Sequence, residues 1–219
     1  MQQAPAEAGP TLAEGQRLFG QFVLKRFLGR GPLGAAWVAH HEGMERDVAM
    51  RFLPQEWLRD ERILGALREG VVRLLEFTHA NLVRVFDFQR DDSNAAIVTE
   101  FVDGDPLQDL RVQMPQRCFE VDAIRPWIAQ LCEVLDYTHR YHDAVHGDLT
   151  PANLLITSRG ELKMADFGLV RSIYEVLDHD DAGISAGTLA YLSPERARGL
   201  PCHVADDVYG FGGRLVSRS

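Results

Sequence analysis

From residue 22 onward the apolar positions come in short runs, 22–28, 35–39 and 48–53, separated by a glycine turn and by the polar stretch 40–46. Short apolar runs bounded by turn residues predict three antiparallel strands. Over residues 57–76 the period changes: Leu58, Ile63, Leu64, Leu67 and Val71 recur at helical spacing with charges between them, which predicts one helix. Alternation returns at 82–88, a compact apolar run fills 95–102, and a turn-rich Asp91-Asp-Ser-Asn94 joins the two. Residues 22–102 therefore read as a five-stranded antiparallel sheet with one helix. After Asp103-Gly-Asp-Pro106 the period is helical, with Ile124, Trp127, Ile128, Leu131, Val134, Leu135 and His139 in register across 121–141. The expected architecture is α+β in two lobes, a mixed one over 20–102 and a mainly helical one over 103–219. Residues 1–19, rich in Ala, Gly, Pro, Gln and Glu without a period, predict a mobile tail.

Composition narrows the classes of function. The chain has 219 residues, 46% of them hydrophobic and 25% charged, which suits a folded chain of one or two domains. A formal charge of −9 argues against a sequence-independent grip on nucleic acid. Three scattered cysteines without a C-x-x-C pair argue against a disulfide framework or a zinc site and point to a reducing compartment. No run of 18 apolar residues is present and the first residues lack the basic and apolar parts of a signal peptide, so a cytoplasmic chain without a membrane segment is expected. Only two of the 23 basic side chains, Lys25 and Lys163, are lysines.

The first chemical signal is Leu28-Gly-Arg-Gly-Pro-Leu-Gly34, whose glycines let backbone amides approach phosphate oxygens. A dinucleotide-binding turn needs a helix directly after the glycines, whereas residues 35–39 are strand-like. Further along stand His146-Gly-Asp-Leu-Thr-Pro-Ala-Asn153, Asp166-Phe-Gly168, Gly187-Thr-Leu-Ala-Tyr-Leu-Ser-Pro-Glu195 and Asp207-Val-Tyr-Gly-Phe-Gly212. Four spaced motifs in this order resemble the signature series of the protein kinases, specifically the bacterial serine/threonine type related to eukaryotic ones, over residues 20–212. The resemblance implies a protein-kinase-like fold that takes ATP and Mg²⁺ and acts on, or signals to, a protein partner. Asp148 then matches the catalytic base, and Asn153 and Asp166 match the metal ligands. Gly29, Gly31 and Gly34 match the phosphate-covering loop. Ala36, Ala49 and Leu155 match the residues that enclose adenine, Glu100 and Val102 the hinge that bonds its edge, and Thr99 the rear gate of the pocket. His139, His142 and His146 are read as a helix end and as a loop histidine beneath Phe167 rather than as a metal cluster.

Departures from the family pattern imply a weakened site. Val48-Ala-Met-Arg51 places arginine where the family has the lysine that holds the α and β phosphates, and a planar fork does not fill the slot of a compact ammonium. The helix glutamate that pairs with that lysine falls on Gly70, one position from Glu69. Gly147 replaces the loop arginine that answers activation-segment phosphorylation, Thr150 replaces a second catalytic lysine, and Pro32 removes an amide donor. Ser172, Tyr174, Ser185 and Thr188 are the hydroxyls of the activation segment, and Asp178-His-Asp-Asp181 reads as a solvated acidic turn. The loss of apolar period after Phe211 suggests a shortened lower lobe, from a truncated or frameshifted reading frame, in which Glu195 lacks its arginine partner. The leading expectation is a nucleotide-binding, kinase-like signalling domain with little or no phosphoryl transfer. The alternatives are an active atypical serine/threonine kinase in which Arg51 or Arg30 supplies the missing charge, a small-molecule phosphotransferase, and an interaction module with an empty pocket.

Overall fold

The structure, a computed structural model, describes residues 12–31, 33–114, 118–174, 176 and 192–212. The upper lobe is built from β1 (Arg17–Leu18), β2 (Phe22–Gly31), β3 (Gly34–His41), β4 (Arg46–Phe52), α1 (Glu61–Leu74), β5 (Val85–Arg90) and β6 (Ala95–Glu100). Its sheet has six strands in the order β1-β2-β3-β4-β6-β5, all neighbours antiparallel. Alternation sorts the side chains onto two faces. Phe22, Leu24, Ala39, Val48, Met50, Phe52, Ala96 and Val98 form one buried cluster on the outer face. On the other face the register sets Ala36 opposite Arg51, and sets Val38 and Thr99 on either side of Ala49. Directly paired residues share a face, so these candidate base and phosphate contacts look together toward the second lobe.

The sixth strand corrects the expected count, and it lies within the stretch expected to be a mobile tail. Leu18 pairs with Phe22 and is buried in the outer-face cluster, while Gly15 N donates to Leu24 O at 2.8 Å and Leu24 N to Gln16 O at 2.9 Å. Residues 12–19 are held because they close apolar surface that the sheet otherwise leaves open; residues 1–11 lie outside the described residues. The strand expected over 82–88 begins only at Val85, since Leu82 bridges Met164 of the lower lobe instead. The helix expected from residue 57 is a 3₁₀ turn (Gln55–Arg59) followed by α1, because the Asp60 side chain caps α1 by accepting from Arg62 N at 2.9 Å. Ile63, Leu64, Leu67, Val71 and Leu74 make the buried stripe of α1.

The lower lobe contains β7 (Gly104–Pro106), α2 (Leu107–Gln113), α3 (Val121–His142), β8 (Leu154–Thr157), β9 (Leu162–Met164), α4 (Leu169–Tyr174), α5 (Pro194–Ala197) and α6 (Val204–Gly212). The long helix appears where the apolar period placed it, with Ile124, Leu131, Val134 and Leu135 inward and the Asp143 residue ending it at φ 47. A small antiparallel sheet β7-β8-β9 was not legible in the period and carries the loops of the candidate site at its ends. One core cluster runs from α1 through Phe77 to Met164 and Phe167, so the lobes share buried apolar contact beside the cleft.

Candidate functional site between the lobes

The loop after α3 is fixed from below by one carboxylate. Asp207, near the start of α6 and 1% exposed, accepts from His146 N and Gly147 N at 2.9 Å each and from His139 Nε2 at 2.9 Å. His146, itself fully buried, accepts from Asp148 N through Nδ1 at 3.2 Å, so its Nε2 carries the proton and donates to Ala165 O at 3.0 Å. Its ring meets Phe167 edge-on at 5.4 Å, and Phe167 in turn lies 5.6 Å from Phe77. The loop holding Asp148 and the turn holding Asp166 are thereby tied to each other.

Asp148, Asn153 and Asp166 converge. Asn153 Nδ2 donates to Asp148 O at 2.8 Å and lies 3.4 Å from Asp148 Oδ2, while Asn153 O accepts from Ala165 N at 2.8 Å. Its amide nitrogen is therefore engaged and its Oδ1 has no protein donor among the described residues. Burial pushes the Asp148 carboxyl up to about 6, opposed by the neighbouring His146 and the Asn153 hydrogen bond and reinforced by the negative charge of Asp166. Asp166 sits at φ 56, which aims its carboxylate back toward the upper lobe.

The roof arrives from β2, β3 and β4. Gly29 pairs with Ala36 and Gly31 with Gly34 at the tip of the hairpin. Gly34 is required by space as well as by its φ of 102, since a Cβ there stands 2.0 Å from Phe52 O. A Cβ on Gly31 lies 3.3 Å from Arg51 Nη1, so the hairpin comes down close to the guanidinium. Arg51 Nη2 is ion-paired with Asp166 Oδ2 at 2.8 Å, with side-chain exposures of 24% and 13%. Arg30, the other arginine considered for this charge, is exposed. Leu155 in β8, Glu100 at the end of β6 and Val102 beyond it are each half-buried.

Glu69 does not slip into the vacant pairing position: it is exposed on α1, and Arg51 has turned to Asp166 instead. The residue that faces inward is Gly70, and α4 lies against it. Ser172, buried and donating to Gly168 O at 3.0 Å, comes so close that a Cβ on Gly70 stands 2.9 Å from its Oγ. The missing glutamate thus has a positive consequence, a seat for the segment after Gly168. Gly70→Glu is expected to lift α4 from α1 and to speed amide hydrogen exchange across 169–174, read by mass spectrometry against an unaltered exchange rate in α3.

The three histidines take separate partners: His139 the Asp207 carboxylate, His142 the Tyr137 hydroxyl at 2.8 Å with its ring stacked on Phe77, and His146 the Ala165 carbonyl. Pro32, the Tyr174 side chain, the acidic turn 178–181, Ser185, Thr188, most of the motif 187–195 and residues 213–219 lie outside the described residues. Sequence reasoning gave Asp207 as the start of a signature motif and of a helix, without its anchoring role, and passed over Lys163, which pairs with Glu100. The motif marks Asp207 but not the partners it anchors, and Lys163 carries no local signal, because both act on residues far away in the chain.

The family described as the protein kinase domain matches residues 22–217. A "probable serine/threonine-protein kinase" of Streptomyces coelicolor is 31% identical over 210 residues, covering 92% of this chain and 30% of its own length. The serine/threonine-protein kinase PknB of Mycobacterium leprae is 30% identical over 200 residues, 88% of this chain and 31% of that protein. The chain thus spans about 30% of the length of these curated relatives. Among solved structures, the PknI kinase domain of Mycobacterium tuberculosis superposes with a TM-score of 0.72 at 22% identity, covering 91% of this chain and 72% of that one. Such a likeness speaks to fold. Among the described residues no helix is long and apolar enough to cross a membrane.

Proposed function

Because this chain belongs to the protein kinase family and has its two-lobed fold, we propose that it is a serine/threonine-kinase-like domain that binds a nucleotide and signals to a protein partner, with phosphoryl transfer weak or absent. The observation that carries this reading is the 2.8 Å ion pair between Arg51 and Asp166. It joins the cation that stands in β4 at the family's lysine position to one of the two candidate metal ligands, so the cation and the carboxylate neutralise each other. Charges that are needed separately, one on the triphosphate and one on a metal ion, are tied together.

The residues present still suit a hard divalent ion. Asn153 Oδ1 and the second Asp166 oxygen are the kind of donors Mg²⁺ takes, and Asp148 is close enough to be shifted by the Asp166 charge. When bound, such an ion offsets triphosphate charge. What this chain contributes is the enclosing apolar surface of Ala36, Ala49 and Leu155, the backbone edge at 100–102, and a buried carboxyl at Asp148 that holds a proton more readily than an ordinary aspartate.

The test combines binding and turnover. Mg-ATP is expected to raise the melting temperature of the chain, while γ-labelled ATP leaves no label on the chain itself or on a generic protein substrate. Efficient transfer overturns the weak-activity reading, and a nucleotide without any effect on melting overturns the binding reading in favour of an empty interaction module. Arg51→Lys separates a crippled site from a compensated one. A rise in label transfer is expected, since a compact ammonium can hold phosphate where the fork holds Asp166; unchanged transfer in an active chain identifies an atypical active kinase.

A further inference from the structure

We infer that Lys163 is a positioning residue for the base of the bound nucleotide, an inference that rests on the nucleotide-binding reading above. Lys163 lies in β9 directly opposite Leu155 in β8. Cross-strand partners share a face, so its stem runs beside the residue proposed as the floor of the base site. Its ammonium crosses to Glu100 at the end of β6, reaching Oε1 at 2.7 Å and Oε2 at 2.9 Å. The same carboxylate accepts from Arg84 N at 3.2 Å, and Glu100 N donates to Arg84 O at 2.8 Å. The first residue of the hinge is consequently gripped by side chain and backbone together.

β9 meets the upper lobe at a second place close by. Met164 N donates to Asn81 O at 2.8 Å and Val83 N to Met164 O at 2.9 Å. Residues 81–84, β9 and the hinge thus form one junction, in which the backbone bonds set where the lobes touch and the Lys163–Glu100 pair sets how the hinge faces Leu155. The pair is shielded, with side-chain exposures of 19% and 31%, so it is screened less than a surface ion pair. The other lysine of the chain, Lys25, spans two strands of the same sheet to Asp47 and is half exposed. Of the two lysines, Lys163 is the one that joins β9 to the end of β6.

This placement predicts a loss confined to the base half of the ligand. Binding of ADP and of inorganic tripolyphosphate is measured on the full chain by calorimetry. Lys163→Met is expected to weaken ADP about fivefold and to leave tripolyphosphate unchanged, the size of one partly shielded ion pair. Glu100→Gln should reproduce that loss, the double variant should be no worse than either single one, and Lys163→Arg should stay within about twofold of the unaltered chain. Equal ADP affinity in Lys163→Met and the unaltered chain overturns the inference, as does an equal loss for ADP and tripolyphosphate, which marks a general structural defect. If Lys163→Met does not fold, Glu100→Gln carries the test alone because it removes the charge with almost no change of shape. Failure of the unaltered chain to bind any nucleotide takes down the reading beneath; binding that is intact but indifferent to Lys163 takes down only this inference.

Discussion

Asp207→Ala is expected to destabilise the fold by about 3–5 kcal/mol, the range for breaking a buried, fully hydrogen-bonded charge. The side chain is completely buried and all three of its hydrogen bonds are 2.9 Å long. Truncation strands the buried backbone N–H of His146 and removes the acceptor of the half-buried Gly147 N–H, and an orphaned buried donor costs about 1–3 kcal/mol. Asp207→Asn keeps the shape and one acceptor oxygen but turns an amide toward a donor, so an intermediate loss is expected. Urea denaturation of the two variants measures this directly. A loss below about 1 kcal/mol for the alanine variant means that the loop around Asp148 is held by its own conformation and not from beneath.

That anchor holds the lower half of the candidate site independently of the roof, although Gly147 and Thr150 within it also depart from the family pattern. Asp148, Asn153 and Asp166 are positioned by Asp207, by the His146 ring and by backbone bonds between 153 and 165, none of which involves Arg51 or Gly70. The roof, by contrast, depends on single side chains reaching across the cleft. Replacing a compact ammonium by a guanidinium, and a glutamate by a glycine, lets Arg51 settle on Asp166 and lets α4 settle on α1.

Local features were legible in the sequence. The apolar period gave α1 and α3, and the offsets within 146–153 and 166–168 gave Asp148 and Asn153, which share a hydrogen bond, and Asp166, whose charge reaches Asp148. Elements too short to show a period were not: β1 has two residues, β9 three and β8 four. Contacts between distant segments were also invisible, since nothing in either segment marks the other. Lys163 and Glu100 are 63 positions apart and His146 and Asp207 are 61 apart. The displacement of Arg51 onto Asp166 belongs to the same class. The sequence shows that the lysine is missing, but only the fold shows which carboxylate the arginine takes in its place.

Asp148→Asn is expected to stabilise the chain at pH 8 and to do almost nothing at pH 4. The Asp148 carboxyl has its pKa raised from 3.8 to about 6 in the folded state. A raised value means that the folded chain binds this proton more tightly than the unfolded chain, so stability falls as the pH climbs from about 4 to about 6 and the penalty is complete above that. A shift of this size corresponds to an upper figure of about 2–3 kcal/mol at neutral pH and above. Asparagine keeps the shape, has no charge to bury and can turn its oxygen toward Asn153 Nδ2, so it removes the penalty where the penalty exists. Near pH 4 both the acid and the amide are neutral in the fold and the difference vanishes. Melting temperatures of both chains across this range provide the check: a gain that grows through pH 5–6 and then levels off is the expected curve, and a gain independent of pH rules out the buried charge as its source. The same substitution removes the carboxyl that matches the family's catalytic base, so residual label transfer should fall as stability rises.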